Sequence, residues 1–325
     1  DYQQGAWRQP RLLRHLIKAA RNDRVGMMHV FSRTLFDSIK EDIEDQGIGK
    51  DEIALFLITG DLTWSADPHE FANAKELFDK LSNYYGVSNK QIIIVPGNHD
   101  IEWQDEKGEI DNNAELNYKN FYMSFYDVNP AKTLMRISKF QIGSLVIGII
   151  ALNSCRLESK ENAGFGYIGQ EQISKAQKYL STNNDIDMAI AFAHHHILPV
   201  NYREEVSTDI KKVSMLLDAE MVMQNLISNK IKVYLHGHQH QPYYSQITRI
   251  IPDFILKGKK ERLKGKLTVI GGGSCGVEQG SINLIGRNTY NIISFPSNGV
   301  IKVETRIKSG SGMGYYTYAE EEIEI

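Results

Sequence analysis

Ile53-Ala54-Leu55-Phe56-Leu57-Ile58-Thr59-Gly60-Asp61 and Gln91-Ile92-Ile93-Ile94-Val95-Pro96-Gly97-Asn98-His99-Asp100 are the two stretches on which the fold turns. Each is an apolar run of strand length without alternating polar positions, the pattern of a strand covered on both faces. Each then stops at a glycine followed by side chains rich in lone pairs. Working outward, the pattern recurs twice. Met188–Ala193 runs into His194-His195-His196, and Ile231–Leu235 runs into His236-Gly237-His238-Gln239-His240. Four strand ends therefore deliver, in order, Asp61, Asn98-His99-Asp100, His194 and the pair His238 and His240. In an open α/β sheet ligands bind beyond the carboxyl ends of the strands, so these groups are placed to converge.

The segments between these strands read as helices. Arg11–Arg21 and Thr34–Glu44 are amphipathic. Asp67-Pro68-His69-Glu70 is a helix start, with an N-cap aspartate, proline at the first helical position and glutamate at the third, and predicts a helix to about Tyr84. Further helices are expected over Ala114–Tyr126, Gln170–Leu180 and Asp209–Ser228. Leu134–Leu152 reads as two strands hinged at Gly143-Ser144. Strand candidates close the chain at Leu267–Ile270, Tyr290–Phe295 and Val300–Ile307. No internal repeat interrupts this alternation, which is that of a layered α/β domain.

Bulk properties narrow the function classes. With 325 residues, 42% of them apolar, the chain can bury a large core, and a single domain over 1–325 is expected. A net charge of −3 gives no global attraction for a polyanion, so nucleic-acid binding would need a local patch. Cys155 and Cys275 form neither a CxxC pair nor a disulfide framework; both read as small buried hydrophobes, and a reducing, cytoplasmic setting is expected. No apolar run approaches the roughly 18–20 residues of a membrane span, so no membrane partner is expected. The polar opening Asp1-Tyr2-Gln3-Gln4 has no secretory leader character, and the expectation is that the natural protein starts upstream of it.

Hydrolysing a phosphate ester near neutral pH needs a nucleophilic hydroxide and positive charge against the phosphoryl oxygens, and two metal ions about 3.5–4 Å apart supply both. A carboxylate can bridge such a pair, and imidazoles suit Zn, Fe, Mn or Ni rather than Ca or Mg. Asp61, Asn98, His194, His238 and His240 are that mixture of ligands. His99 suits a general acid, and Asp100 beside it is expected to fix its tautomer and raise its basicity. Taken singly, Gly60-Asp61 is a common strand-to-turn dipeptide; the order of all four motifs carries the signal.

Gly60-Asp61, Gly97-Asn98-His99-Asp100, His194-His195 and Gly237-His238-Gln239-His240 together resemble the ordered motifs of the calcineurin-like metallophosphoesterases, over roughly residues 50–295. The resemblance implies a four-layer αββα sandwich with two mixed sheets and a dinuclear centre. It implies Asp61 as the bridging ligand, Asn98, His194 and His238 as ligands of the second metal, His240 as a ligand of the first, and His99 as the proton donor to the leaving group. Attack on phosphorus would come from a metal-held hydroxide. Pro199 aligns with the family's usual proline, which makes His194 the ligand and leaves His195 and His196 to support the ligands or to face substrate. Two further ligands come, in the family, from an Asp-x-His motif that is not found between Asp1 and Asp61 and is expected upstream of Asp1, with genuine loss of the motif as the alternative.

The substrate implied is a phosphate ester. Leu62-Thr63-Trp64 and GNHD stand where the protein serine/threonine phosphatases have an Asp-Arg-Gly extension and GNHE. Gly-Asp-Leu-Thr with GNHD resembles the cyclic-nucleotide phosphodiesterase type, which favours a phosphodiester; a nuclease acting on nucleic acid and a metal-poor sensor module are the alternatives. Gly271-Gly272-Gly273-Ser274-Cys275-Gly276 fits GxGxxG literally, but no helix pattern follows it, so it reads as a turn. Lys257–Lys266 carries six basic residues against Glu261 and reads as a solvated hairpin tip, with steering of a phosphate-rich substrate as the alternative.

Overall fold

Strand β2 (Ile92–Ile94) shows how the sequence builds its layers. Ile93 and Val95 join one buried cluster and Ile92 and Ile94 another, because successive side chains of a strand point to opposite faces. Both clusters are apolar, so a strand with no polar face is the stable solution. The chain is described by a computed structural model over residues 24–102, 114–159, 162, 164–199, 214–229, 231–250, 264–276, 287–295, 300–310 and 314–324.

In chain order the elements are α1 (Arg24–Asp45), β1 (Phe56–Ile58), α2 (Pro68–Tyr85), β2, α3 (Leu116–Tyr126), β3 (Arg136–Ile142), β4 (Leu145–Ala151), α4 (Gln170–Thr182), β5 (Met188–Phe192), α5 (Ala219–Ser228) and β6 (Ile231–His236). They are followed by β7 (Pro242–Ile250), β8 (Lys264–Gly272), β9 (Thr289–Ser294), β10 (Val300–Lys308) and β11 (Tyr315–Glu324). A six-stranded sheet runs β3-β4-β5-β6-β8-β7. Its centre is parallel, and β3 and β7 add antiparallel edges. Opposite it lie the parallel pair β1-β2 and the antiparallel sheet β11-β10-β9.

Between these two β layers Ile147, Ile149, Ile190, Phe192, Val233 and Leu235 meet Ile93, Val95, Ile301 and Val303. The outer face of the large sheet, through Ile150, Ala191 and Tyr234, packs on α4 and α5. The outer face of β1-β2 packs on α1, α2 and the aromatic side of α3. This is the expected αββα order. One detail differs: the second sheet, expected as one mixed sheet, is hydrogen-bonded in two pieces among the described residues.

The α2 start is as read, with Asp67 Oδ1 accepting from the backbone N–H of His69 at 2.8 Å. The helix ends where Gly86 takes the left-handed conformation, φ +69°. Glu70 is used otherwise: its Oε2 accepts from the N–H groups of Trp64 and Ser65, both at 3.0 Å, and so ties down the preceding loop.

The helix expected over Asp209–Ser228 begins only at Ala219 among the described residues. Asp218 is drawn away to accept from Gly169 N–H at 2.7 Å, in front of α4. Arg11–Arg21 and residues 257–263 of the basic segment lie outside the described residues. Lys264 and Lys266 open β8 and pair with Ile250 and Thr248. Cys155 is buried, whereas Cys275, expected to be buried, is only partly so; both are free thiols.

Candidate metal centre

Two glycines make the site possible. Gly60 has φ +95°, and a Cβ on it would lie 2.5 Å from the backbone nitrogen of Gly97 and 2.9 Å from His194 Nδ1. A Cβ on Gly97 would overlap the Asp61 carboxylate and backbone nitrogen. The ends of β1 and β2 therefore touch backbone to backbone, which only glycine at both places allows. Asp61 (φ 56°), His238 (φ 66°) and His240 (φ 51°) sit in the left-handed region. That conformation is uncommon for residues carrying a side chain and is held here by the surrounding turns.

Four polar atoms converge beyond these strand ends. Asn98 Oδ1 lies 2.9 Å from His194 Nε2 and 2.9 Å from His238 Nδ1, and the two imidazole nitrogens are 3.0 Å apart. Asp61 Oδ2 is 3.4 Å from His194 Nε2. His194 Nδ1 lies 2.7 Å from the carbonyl of Thr59. A carbonyl only accepts, so Nδ1 carries the proton and Nε2 presents a lone pair. Burial pushes the pKa of His194 down, against the opposing pull of Asp61, and burial also holds His238 well below the ordinary value, aided by its neighbouring histidines. Lone pairs of Asn98, Asp61 and a neutral His194 thus face one another at separations typical of the edges of a coordination polyhedron. A cation satisfies all of them at once, so these residues fit a metal ion.

His195 belongs to the same cluster: one ligating atom each of His194, His195 and His238 lie within 4.8 Å of one another. Its Nδ1 is 2.8 Å from Ser154 Oγ, while its buried Nε2 has no hydrogen-bond partner. His196 is different. Its Nδ1 donates to the Leu198 carbonyl at 2.7 Å and its Nε2 accepts from Gln239 Nε2 at 3.1 Å. Both nitrogens are engaged and the ring is buried, so of the two roles open to His196, supporting the ligands or facing substrate, its contacts favour the first: it braces the His238-bearing turn. His240 lies on that turn, close enough to depress the pKa of His238.

His99 stands at the rim. Its backbone N–H donates to Asp61 Oδ1 at 3.1 Å, and its Nδ1 lies 3.0 Å from the Trp64 carbonyl. The indole of Trp64 stacks on the imidazole, centroids 5.0 Å apart with 18° between planes. The expected contact with Asp100 is not made. The Asp100 carboxylate is buried and taken up by Thr63 N–H at 2.9 Å, Thr63 Oγ1 at 3.0 Å and Gly97 N–H at 2.8 Å. Burial, with the nearby Asp61 charge, raises its pKa to about 7. Asp100 thus ties the GNHD turn to the loop after β1 and does not orient His99. Thr59 and Trp64 were missed as site residues because both act through a backbone carbonyl, which any residue type carries.

Residues 28–242 match the family described as Calcineurin-like phosphoesterase. The chain belongs to this family. It is 24% identical over 191 residues to a probable cyclic nucleotide phosphodiesterase of Xenorhabdus bovienii, a match covering 59% of this chain and 62% of that protein. The phosphoesterase chain is also similar in structure to a purple acid phosphatase, PPD1, from yellow lupin (Lupinus luteus) seeds. There the TM-score is 0.51 at 16% identity, with 90% of this chain and 48% of the lupin chain covered. It thus spans less than two thirds of the length of either relative. Among the described residues, no helix is long and apolar enough to cross a membrane.

Proposed function

We propose that the protein is a metal-dependent phosphoric ester hydrolase acting on a phosphodiester, with a dinuclear centre bridged by Asp61. The observation that carries this reading is the convergence of Asn98 Oδ1, His194 Nε2 and His238 Nδ1 within 2.9–3.0 Å of one another, with Asp61 Oδ2 beside them. Asp61, Asn98, His194 and His238 would hold one metal ion. Asp61 and His240 would contribute to the other. When bound, the ions supply positive charge against the phosphoryl oxygens and a nucleophile at neutral pH; imidazole and carboxylate donors suit Mn, Fe, Zn or Ni.

The chain's own residues do the rest. His194 is fixed in the tautomer a ligand needs by the Thr59 carbonyl, and Asp61 is oriented by the His99 N–H. With Nδ1–H committed to the Trp64 carbonyl, His99 in its protonated form carries its transferable proton on Nε2. A water that has given up one proton to solvent attacks phosphorus as hydroxide, the ester P–O bond opposite breaks, and the departing alkoxide takes the His99 proton to leave as an alcohol. The name of the Xenorhabdus relative supports a diester of the nucleotide class.

The test is a hydrolysis screen of bis-p-nitrophenyl phosphate, p-nitrophenyl phosphate, cyclic nucleotides and single-stranded DNA with added Mn²⁺, run beside metal analysis. Diester hydrolysis above monoester hydrolysis is expected. Asp61→Ala should lose both metals and turnover together; tight retention of two metals by Asp61→Ala would falsify the bridging assignment.

A further inference from the structure

The His99 imidazole is held by the loop after β1 and not by Asp100, and the loop is built for that task. Thr63 Oγ1 lies 2.8 Å from the His99 carbonyl, its single proton shared between that carbonyl and the Asp100 carboxylate, and the N–H of Ala66 donates to the same carbonyl at 2.9 Å. Glu70 Oε2 fixes the N–H of Trp64 from the other side at 3.0 Å. Trp64, between these ties, gives its carbonyl to His99 Nδ1 and lays its indole along the imidazole. Trp64 is 67% exposed, so burial of apolar surface in a core does not account for its position.

We propose that Trp64 is the positioning residue of His99, its carbonyl fixing the proton-bearing nitrogen and its indole face fixing the plane of the ring. The proposal rests on the reading of His99 as the proton donor to the leaving group. A free imidazole turns about two side-chain torsions. Against the indole it keeps one plane, and the carbonyl selects which edge faces substrate. The effect is one of orientation, so removing the indole costs rate where the proton matters and leaves substrate binding nearly unchanged.

Two substrates of one class but different leaving groups test this: a cyclic nucleotide, whose alkoxide needs a proton, and bis-p-nitrophenyl phosphate, whose p-nitrophenolate does not. Trp64→Ala is expected to lower kcat for the cyclic nucleotide by about tenfold or more, with KM little changed. The loss for the aryl ester should stay within about threefold, and Trp64→Phe, which keeps a ring to stack on, should restore most of the rate. His99→Asn should show the same leaving-group bias more strongly, by roughly 10²–10⁴. Adding Trp64→Ala to His99→Asn should cost nothing further.

Equal losses on both substrates, or a further loss on the His99→Asn background, would overturn the role of Trp64 while leaving His99 as the acid. An unbiased His99→Asn would remove the acid and with it the need to position one. Because Trp64 is exposed, unchanged thermal melts of both Trp64 variants are expected and serve as the folding control.

Discussion

Glu158 illustrates how a single group near the site sets a pH dependence. Its Oε1 accepts from the N–H of Gly164 at 3.2 Å, while Oε2 is buried without a hydrogen-bond partner. Burial pushes its pKa up from 4.5 to about 8, and the charge of Asp61 adds to the rise against the opposing Gly164 hydrogen bond. A carboxyl raised in this way binds a proton in the folded state between about pH 4.5 and 8, where the unfolded chain has released it. Stability from this group therefore falls as pH rises through that window, and the full cost is present above it. In metal-free protein, Glu158→Gln should gain stability relative to the parent on going from pH 5 to pH 8.5, read from urea midpoints. An identical difference at both pH values would show that Glu158 ionises normally.

At the scale of elements, α1 is fastened to the β9–β11 sheet by one buried ion pair. Arg306 on β10 meets Asp42 of α1 through Nη2 at 2.5 Å and Nε at 2.9 Å, and Tyr290 on β9 and Thr317 on β11 complete the network. Both charged side chains are at most 2% exposed. Desolvating the pair offsets much of its attraction, so its presence adds little net stability, but breaking it strands a charge. Asp42→Ala should destabilise by about 3–5 kcal/mol, whereas Asp42→Leu combined with Arg306→Met should lie much closer to the parent. Denaturant melts of the three proteins decide this, and a double variant as unstable as Asp42→Ala would show that the network contributes more than charge compensation.

Among the described residues, three apolar clusters are separated by two β layers, the central strands contributing to the clusters on both their faces. Phe192 on β5 is 0% exposed and lies between the layers, in the strand that delivers His194. Phe192→Ala should cost about 3–5 kcal/mol and, on the proposed assignment of His194 as a ligand, should lower metal affinity with it, because that strand end carries His194. Since the central strands share side chains among the clusters, we expect one cooperative transition in urea, with tryptophan fluorescence and far-ultraviolet dichroism coinciding. Two separated transitions would contradict the single-domain reading of residues 1–325.

The sequence by itself determined the four central strands that lead into Asp61, Asn98, His194 and His238, and their succession along the chain. A doubly buried strand has to be apolar throughout, and a turn that brings two backbones into contact has to carry glycine, as at Gly60 and Gly97. Both demands act on residue type and leave a legible trace. Other elements were less plain: β7 opens on a proline, and β11 carries Tyr315-Tyr316 and the run Glu320-Glu321-Glu322 in place of an apolar stretch, so neither was read as a strand, and α5 was expected to begin earlier than it does.

Only the tertiary structure decided which neighbour each site group would use. Asp100 follows His99 in the chain, yet its carboxylate turns inward to Thr63 and Gly97, while a carbonyl 35 positions away holds the imidazole. His196 looks like its two neighbours in the sequence and is distinguished from them by Leu198 and Gln239. The reason is physical: backbone carbonyls are common to every residue and long-range pairings are set by packing, so neither leaves a mark on the residue types from which a sequence is read.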